Sequence, residues 1–311
     1  MSRDSKLSAT TSAMEGNCDD ALTGTPRPFP GSDRPGTIVT SRVDLDTWGN
    51  GGCCDSVESR RCQLTAQAHD TITAGPAARP ARRADAGTVR LSQRDIDGLL
   101  LAGEHYGAPM DLLAAALRVA PERLPAITAR WRRTGYAATG RLGPGPGWCW
   151  LTRDGMTATG LRFPAVRPSL GRLAHIRAVL ATRLWLQASP VWAIGQPWWH
   201  SERRLRAEHP AAGRGGHLAD AEIHWPSVTG SPYAGQVWAI EVELTPKPLA
   251  RTTRIMTGLL APMQYAQVIY LTAPAAHPVV TRAAASLPPG DQARITVREL
   301  PGYALMPEPS R

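Results

Sequence analysis

The heptapeptide at 238–244, WAIEVEL, leaves little choice of structure. Successive residues of a strand point to opposite faces, so Trp238, Ile240, Val242 and Leu244 share one face while Glu241 and Glu243 share the other. Pro246 ends the strand, and Lys247 can fold back toward the two carboxylates. Like charges on one strand face repel, which predicts a raised pKa on one of them in the absence of a counter-ion. A hard divalent cation relieves that repulsion, as does a cluster of basic groups. Asp220, opening the preceding apolar stretch HLADAEIHW, can add a third oxygen ligand. Three carboxylates and a lysine are the components for activating water with Mg2+ and stabilising a phosphorane-like transition state.

Around this strand the pattern alternates. VWAIGQPWW, HLADAEIHW, QVWAIEVEL, AQVIYLT and ITVREL read as strands; SERRLRAE (capped by Ser201), PLARTTRIMTGLLA and PVVTRAAASL read as helices. Residues 171–303 are thus expected to form one domain with a mixed sheet, in an α/β (α+β) chain. A helix over 169–187 begins it, with Leu173, Ile176, Leu180 and Leu184 on one stripe, and 161–170 (LRFPAVRPSL) reads as a linker.

Residues 89–160 read differently. Ser92 is a good N-cap for a helix carrying Ile96, Leu99 and Leu100; a second helix is expected over about 109–117, and a third from Pro121 to about 134, ended by Gly135. Two short apolar pieces at 136–139 and 148–151, joined by GRLGPGPG, suit a hairpin, after which Thr152 caps a closing helix. Three helices and a hairpin make a winged helix-turn-helix, whose third helix usually enters the major groove of double-stranded DNA. That helix carries Arg123, Arg130, Arg132 and Arg133, and the hairpin adds Arg141. Leu124, Ile127 and Trp131 form its core stripe, with the arginines largely outside it. The same arginines would also suit a solvated face.

The formal net charge of +9 points to phosphates, acidic proteins or an anionic surface. Arginine supplies it, since only Lys6 and Lys247 are lysines; the abundance of Ala, Arg, Gly and Pro also fits a GC-rich coding bias, which weakens the inference. No apolar run spans a bilayer and MSRDSKLSATTSAMEGN lacks a signal-peptide core, so the expected location is cytoplasmic, with no membrane partner. Residues 1–88 show no sustained period and are expected to be a disordered tail, part of which is untranslated if the start is at Met14; 304–311 reads as a C-terminal tail. Cys18, Cys53, Cys54, Cys62 and Cys149 lack ligand spacing and are expected as reduced thiols.

His175 reads as a structural or surface histidine. His200, His217 and His224 are too far apart in sequence for a compact ligand motif. The tryptophans of PVWAIGQPWWH read as core aromatics rather than an exposed patch.

Glu202 in SERRLR, Asp220 in HLADAEIHW, and Glu241 with Glu243 in AIEVELTPK together resemble the core of PD-(D/E)xK nucleases, a restriction-endonuclease-like fold. With the N-terminal winged helix, the region 89–300 resembles the replication-relaxation family of actinobacterial plasmids and integrative elements. That resemblance implies a role in plasmid replication, DNA relaxation or conjugative mobilisation, with relaxase or replication proteins as partners. It also implies Asp220 and Glu241 as metal ligands and Glu202 as the accessory helix acid. Ala219 stands where the pattern has proline, and Glu243 where it has lysine, so Lys247 must supply the ammonium from another backbone position. Metal-dependent nicking and non-catalytic DNA handling, as a regulator or relaxase accessory factor, both remain open.

Overall fold

The computed structural model describes residues 91–209, 217–228, 230–261 and 264–305. The expected tail at 1–88, four of the five cysteines and residues 306–311 lie outside these; Cys149 is buried, and burial pushes its thiol up to about 12.

The described chain opens with α1 (Gln93–Glu104), a two-residue strand β1 (Ala108–Pro109), α2 (Met110–Ala116) and α3 (Leu124–Arg133). Ser92 caps α1 as expected: its Oγ accepts from Asp95 N at 3.3 Å while the Asp95 carboxylate accepts from Ser92 N at 2.8 Å. Pro121 starts a 3-10 turn, Pro121–Arg123, that feeds α3. The hairpin follows as β2 (Ala137–Gly140) and β3 (Trp148–Leu151), paired antiparallel. Strand β1 flanks β3 on its other side, giving the order β1-β3-β2. It is too short for a period of two to show in sequence, and Pro109 both pairs with Trp148 and caps α2. Helix α4 (Arg153–Ala158) closes the segment, capped by Thr152.

After a 3-10 turn, Leu170–Arg172, come α5 (Leu173–Gln187) and α6 (Pro190–Gly195). The expected strand over VWAIGQPWW is therefore half helix. Ser189 caps α6 by accepting from Trp192 N at 3.2 Å, Pro190 occupies its first turn, and Gln196 ends it at φ +43. Only then does β4 (Trp198–Ser201) begin. The remaining elements are α7 (Glu202–Glu208), β5 (Ala221–His224), β6 (Val237–Glu243), α8 (Leu249–Leu260), β7 (Gln267–Thr272), α9 (His277–Ala285), α10 (Pro289–Gln292) and β8 (Ile295–Glu299). They form a mixed five-stranded sheet of order β4-β5-β6-β7-β8: β4, β5 and β6 run antiparallel, and β6, β7 and β8 parallel, with α8, then α9 and α10, in the crossovers.

Alternation in β6 holds. Trp238, Ile240 and Val242 join Ala221, Ile223, Ile269 and Leu271 in an apolar core that also takes in Leu180 of α5 and Leu99, Leu113 and Trp131 of the N-terminal helices. On the opposite face, Ala239, Val268 and Tyr270 pack with Met256 and Leu259 of α8 and Val280 of α9. Arginines stitch the segments around this core. Arg203 of α7 donates to Gly103 O at 2.5 Å and to Pro164 O, and lies 4.7 Å over the Tyr106 ring. Arg183 pairs with Glu104 at 2.8 Å and Arg177 with Asp111 at 2.7 Å. Among the described residues, no helix is long and apolar enough to cross a membrane.

Candidate functional site

Strand pairing assembles the acidic site. Ala221 is opposite Ile240, so Asp220, one residue before it, falls beside Glu241; on the other side of β6, Glu241 is opposite Tyr270 and Glu243 opposite Thr272. The expected convergence of Asp220, Glu241 and Glu243 on one sheet face thus follows from register. Asp220 is held firmly: Oδ2 accepts from Val242 N at 2.8 Å, and Oδ1 lies 2.9 Å from His175 Nε2. Its carbonyl accepts from Glu202 N at 3.0 Å, which fixes the start of α7 at the site. The Glu202 carboxylate in turn is bound by Arg172 at 2.6 Å and Arg206 at 2.7 Å. Tyr106, Arg172, His175, Glu202 and Asp220 line a cleft of about 20 Å³.

The charges are unequal. Burial, then the Asp220 charge, push the Glu241 carboxyl up to about 7, against the pull of His217 and Lys247. Its Oε2 lies 2.9 Å from His217 Nε2, while Oε1 is buried and has no hydrogen-bond partner among the described residues. Strand alternation alone points to Glu243 as the like-charge partner. In the fold the like-charge partner is Asp220, while Lys247 folds back as expected and pairs with the Glu243 carboxylate. The hydrogen bond that Glu241 accepts raises His217; burial opposes the charge of His175, but Asp220 raises it. Tyr270 is raised by burial, then by Glu241, Glu243 and Asp220, and its buried hydroxyl has no partner among the described residues.

Beyond the acids and the lysine, the site has three further contributors. His175, expected as structural or surface, is in fact a partner of Asp220; α5 carries it there from 45 residues upstream, a contact no local pattern encodes. His217 goes to Glu241, apart from His200 and His224. Tyr270 does have a signal in AQVIYLT, where it shares the face of Val268 and so lies beside the acids on the neighbouring strand.

The basic residues divide. Arg123, Arg132, Arg133 and Arg141 are exposed, on α3, the turn before it and the β2–β3 connection. Arg130 is half-buried and pairs with Asp95 of α1, so its guanidinium is already committed within the fold. The tryptophans of PVWAIGQPWWH also split, with Trp199 buried in the core and Trp198 exposed.

No protein-family model matches the chain, and no curated protein matches it. A solved structure described as PigF with SAH is 13% identical over 67% of this chain, with a TM-score of 0.16, a value that carries no argument. The match spans 62% of that chain's length.

Proposed function

We propose that this chain handles double-stranded DNA for a mobile element, acting in plasmid replication, DNA relaxation or conjugative mobilisation by metal-dependent nicking. In this reading, 91–160 is a winged helix-turn-helix presenting Arg132 and Arg133 to DNA, and the five-stranded sheet is a restriction-endonuclease-like domain. The observation that carries it is Glu241: a buried carboxylate beside Asp220, with one oxygen lacking a partner among the described residues, is the arrangement a divalent cation satisfies. Asp220 and Glu241 would hold Mg2+, and Glu243 lies on the same face.

The bound ion would supply polarisation of a phosphoryl oxygen and a more acidic water. The chain's own groups do the rest. Val242 N–H and His175 orient Asp220; His217 holds Oε2 of Glu241 and leaves Oε1 for the ion; Lys247 offers positive charge at the rim through Glu243. Glu202, fixed by two arginines, positions the start of α7.

Supercoiled plasmid incubated with Mg2+ or Mn2+ should be nicked by the wild type and left intact by Glu241→Ala. Equal activity in both refutes catalysis through Glu241, and none in either refutes nicking. A second reading, non-catalytic DNA binding as a regulator or relaxase accessory factor, is favoured by one observation: the ammonium of Lys247 is paired with Glu243, which itself stands at the motif's lysine position. Both readings require the arginine face. Arg132→Ala and Arg133→Ala should each reduce the salt slope of DNA binding by about one unit.

A further inference from the structure

The face that carries Glu241 holds a second, chemically different cluster. In the β4–β5 ladder His200 is opposite Glu222 and Trp198 opposite His224, so alternation turns His200, Glu222 and His224 to one side. One ligand atom from each can be chosen so that all three lie within 4.8 Å of one another. The two imidazoles stack at 4.0 Å with 22° between planes, and His224 Nε2 is 2.6 Å from Glu222 Oε2. The other carboxylate oxygen, Oε1, accepts from Tyr265 OH at 2.6 Å. His200 Nδ1 is buried without a hydrogen-bond partner among the described residues; Glu208, at 4.0 Å, is its nearest ion-pair contact.

We propose that His200, Glu222 and His224 form a binding site for a divalent transition-metal ion, Zn2+ by preference. Two imidazoles and a carboxylate are a zinc donor set, whereas the all-oxygen pair Asp220 and Glu241 suits a hard cation such as Mg2+. Tyr265 is an outer partner that fixes Glu222 by Oε1, and the ion would take the place of the hydrogen bond that now joins Oε2 to His224 Nε2. The orphaned His200 nitrogen has its explanation in the same ion. The sequence separation that argued against a compact motif is removed by strand pairing, which sets residue 200 directly across from residue 222. All three side chains are half-buried, so the site is open to an ion from solvent.

The site is independent of DNA cleavage and is tested without it. The full-length protein, stripped with a chelator, is titrated with Zn2+ by calorimetry, and with Co2+ to read the visible absorption of a nitrogen-and-oxygen site. One equivalent should bind at this site, counted apart from any that Asp220 and Glu241 take up. His224→Ala and Glu222→Gln should each weaken that event by at least about 100-fold, and Tyr265→Phe by about 10-fold. Glu241→Gln should leave it unchanged, separating this site from the acidic one. Zn2+ should also raise the melting temperature of the wild type but not of His224→Ala. Circular dichroism establishes that each variant is folded; Glu222→Gln, which keeps volume and one acceptor oxygen, decides the matter if the histidine variant unfolds. No binding by the wild type, or binding that survives both His224→Ala and Glu222→Gln, overturns the proposal.

Discussion

Asp95 receives hydrogen bonds from Ser92 N at 2.8 Å, Ser92 Oγ at 2.6 Å and Trp131 Nε1 at 2.9 Å, and pairs with Arg130. Burial opposes its charge, but these bonds prevail and hold the carboxyl down at about 2, from an ordinary 3.8. A depressed acid contributes stability that is complete above its unfolded pKa and disappears as pH falls through the folded one. Asp95→Asn should therefore lose about 1–3 kcal/mol at neutral pH, since it weakens a buried charged acceptor of several hydrogen bonds. The gap from wild type should stay level between about pH 5 and 8 and close as pH drops from 3.8 toward 2. Urea titrations at each pH measure it, and a gap of constant size down to the acid end would refute the assignment. The same residue explains Arg130: counted by sequence among the arginines outside the core stripe of α3, it spends its charge on α1.

Elements whose periodicity is complete are legible from the residues alone: α3 from the Leu124, Ile127 and Trp131 stripe, β6 from its strict alternation. Elements fixed by contacts are not, as the two-residue β1 shows, existing only by pairing with β3. The candidate site divides along the same line. Asp220, Glu241, Glu243 and Lys247 follow from strand arithmetic, while His175 arrives on a helix through tertiary packing. The α4 junction belongs between these cases. Thr152 is recognisable as a cap, and its Oγ1 does accept from Gly155 N at 3.1 Å, while also donating to Gly135 O at 2.5 Å. Nothing in the sequence shows that Gly155 must lack a side chain: a Cβ there would lie 1.9 Å from Tyr136 O. The backbone carbonyl cannot swing aside as a side chain would, so Gly155→Ala should destabilise by about 1–3 kcal/mol despite alanine's better helix propensity. Gly160→Ala is a weaker control for space, since nothing lies within 4 Å of its Cβ position, though its φ of +71 adds backbone strain. A Gly155→Ala melting temperature equal to wild type would show that β2, β3 and α4 can shift apart without cost.

At the scale of the whole described region, two kinds of contact join residues 91–160 to the five-stranded sheet. One is apolar: Leu99, Leu113 and Trp131 belong to the same core as Leu180, Ile223 and Ile240. The other is polar: Arg203 bonds Gly103 O and Pro164 O, and Arg183 and Arg177 reach Glu104 and Asp111. They predict different failures. Arg203→Met keeps an aliphatic stem against the Tyr106 and Phe163 rings but removes every donor to the two carbonyls. The loss of charged hydrogen bonds to a buried carbonyl should cost about 2–3 kcal/mol. If the shared core couples the segments, scanning calorimetry of this variant shows one transition, moved to lower temperature, with calorimetric and van't Hoff enthalpies still equal. If the arginines couple them, the single peak splits, because each segment then melts by its own contacts. The number of fully buried side chains in the common core, Trp131, Leu99, Leu113, Leu180 and Ile223 among them, favours the first outcome, since full burial of each leucine or isoleucine contributes about 1.5–3 kcal/mol. Two resolved peaks would assign the coupling to Arg203 instead.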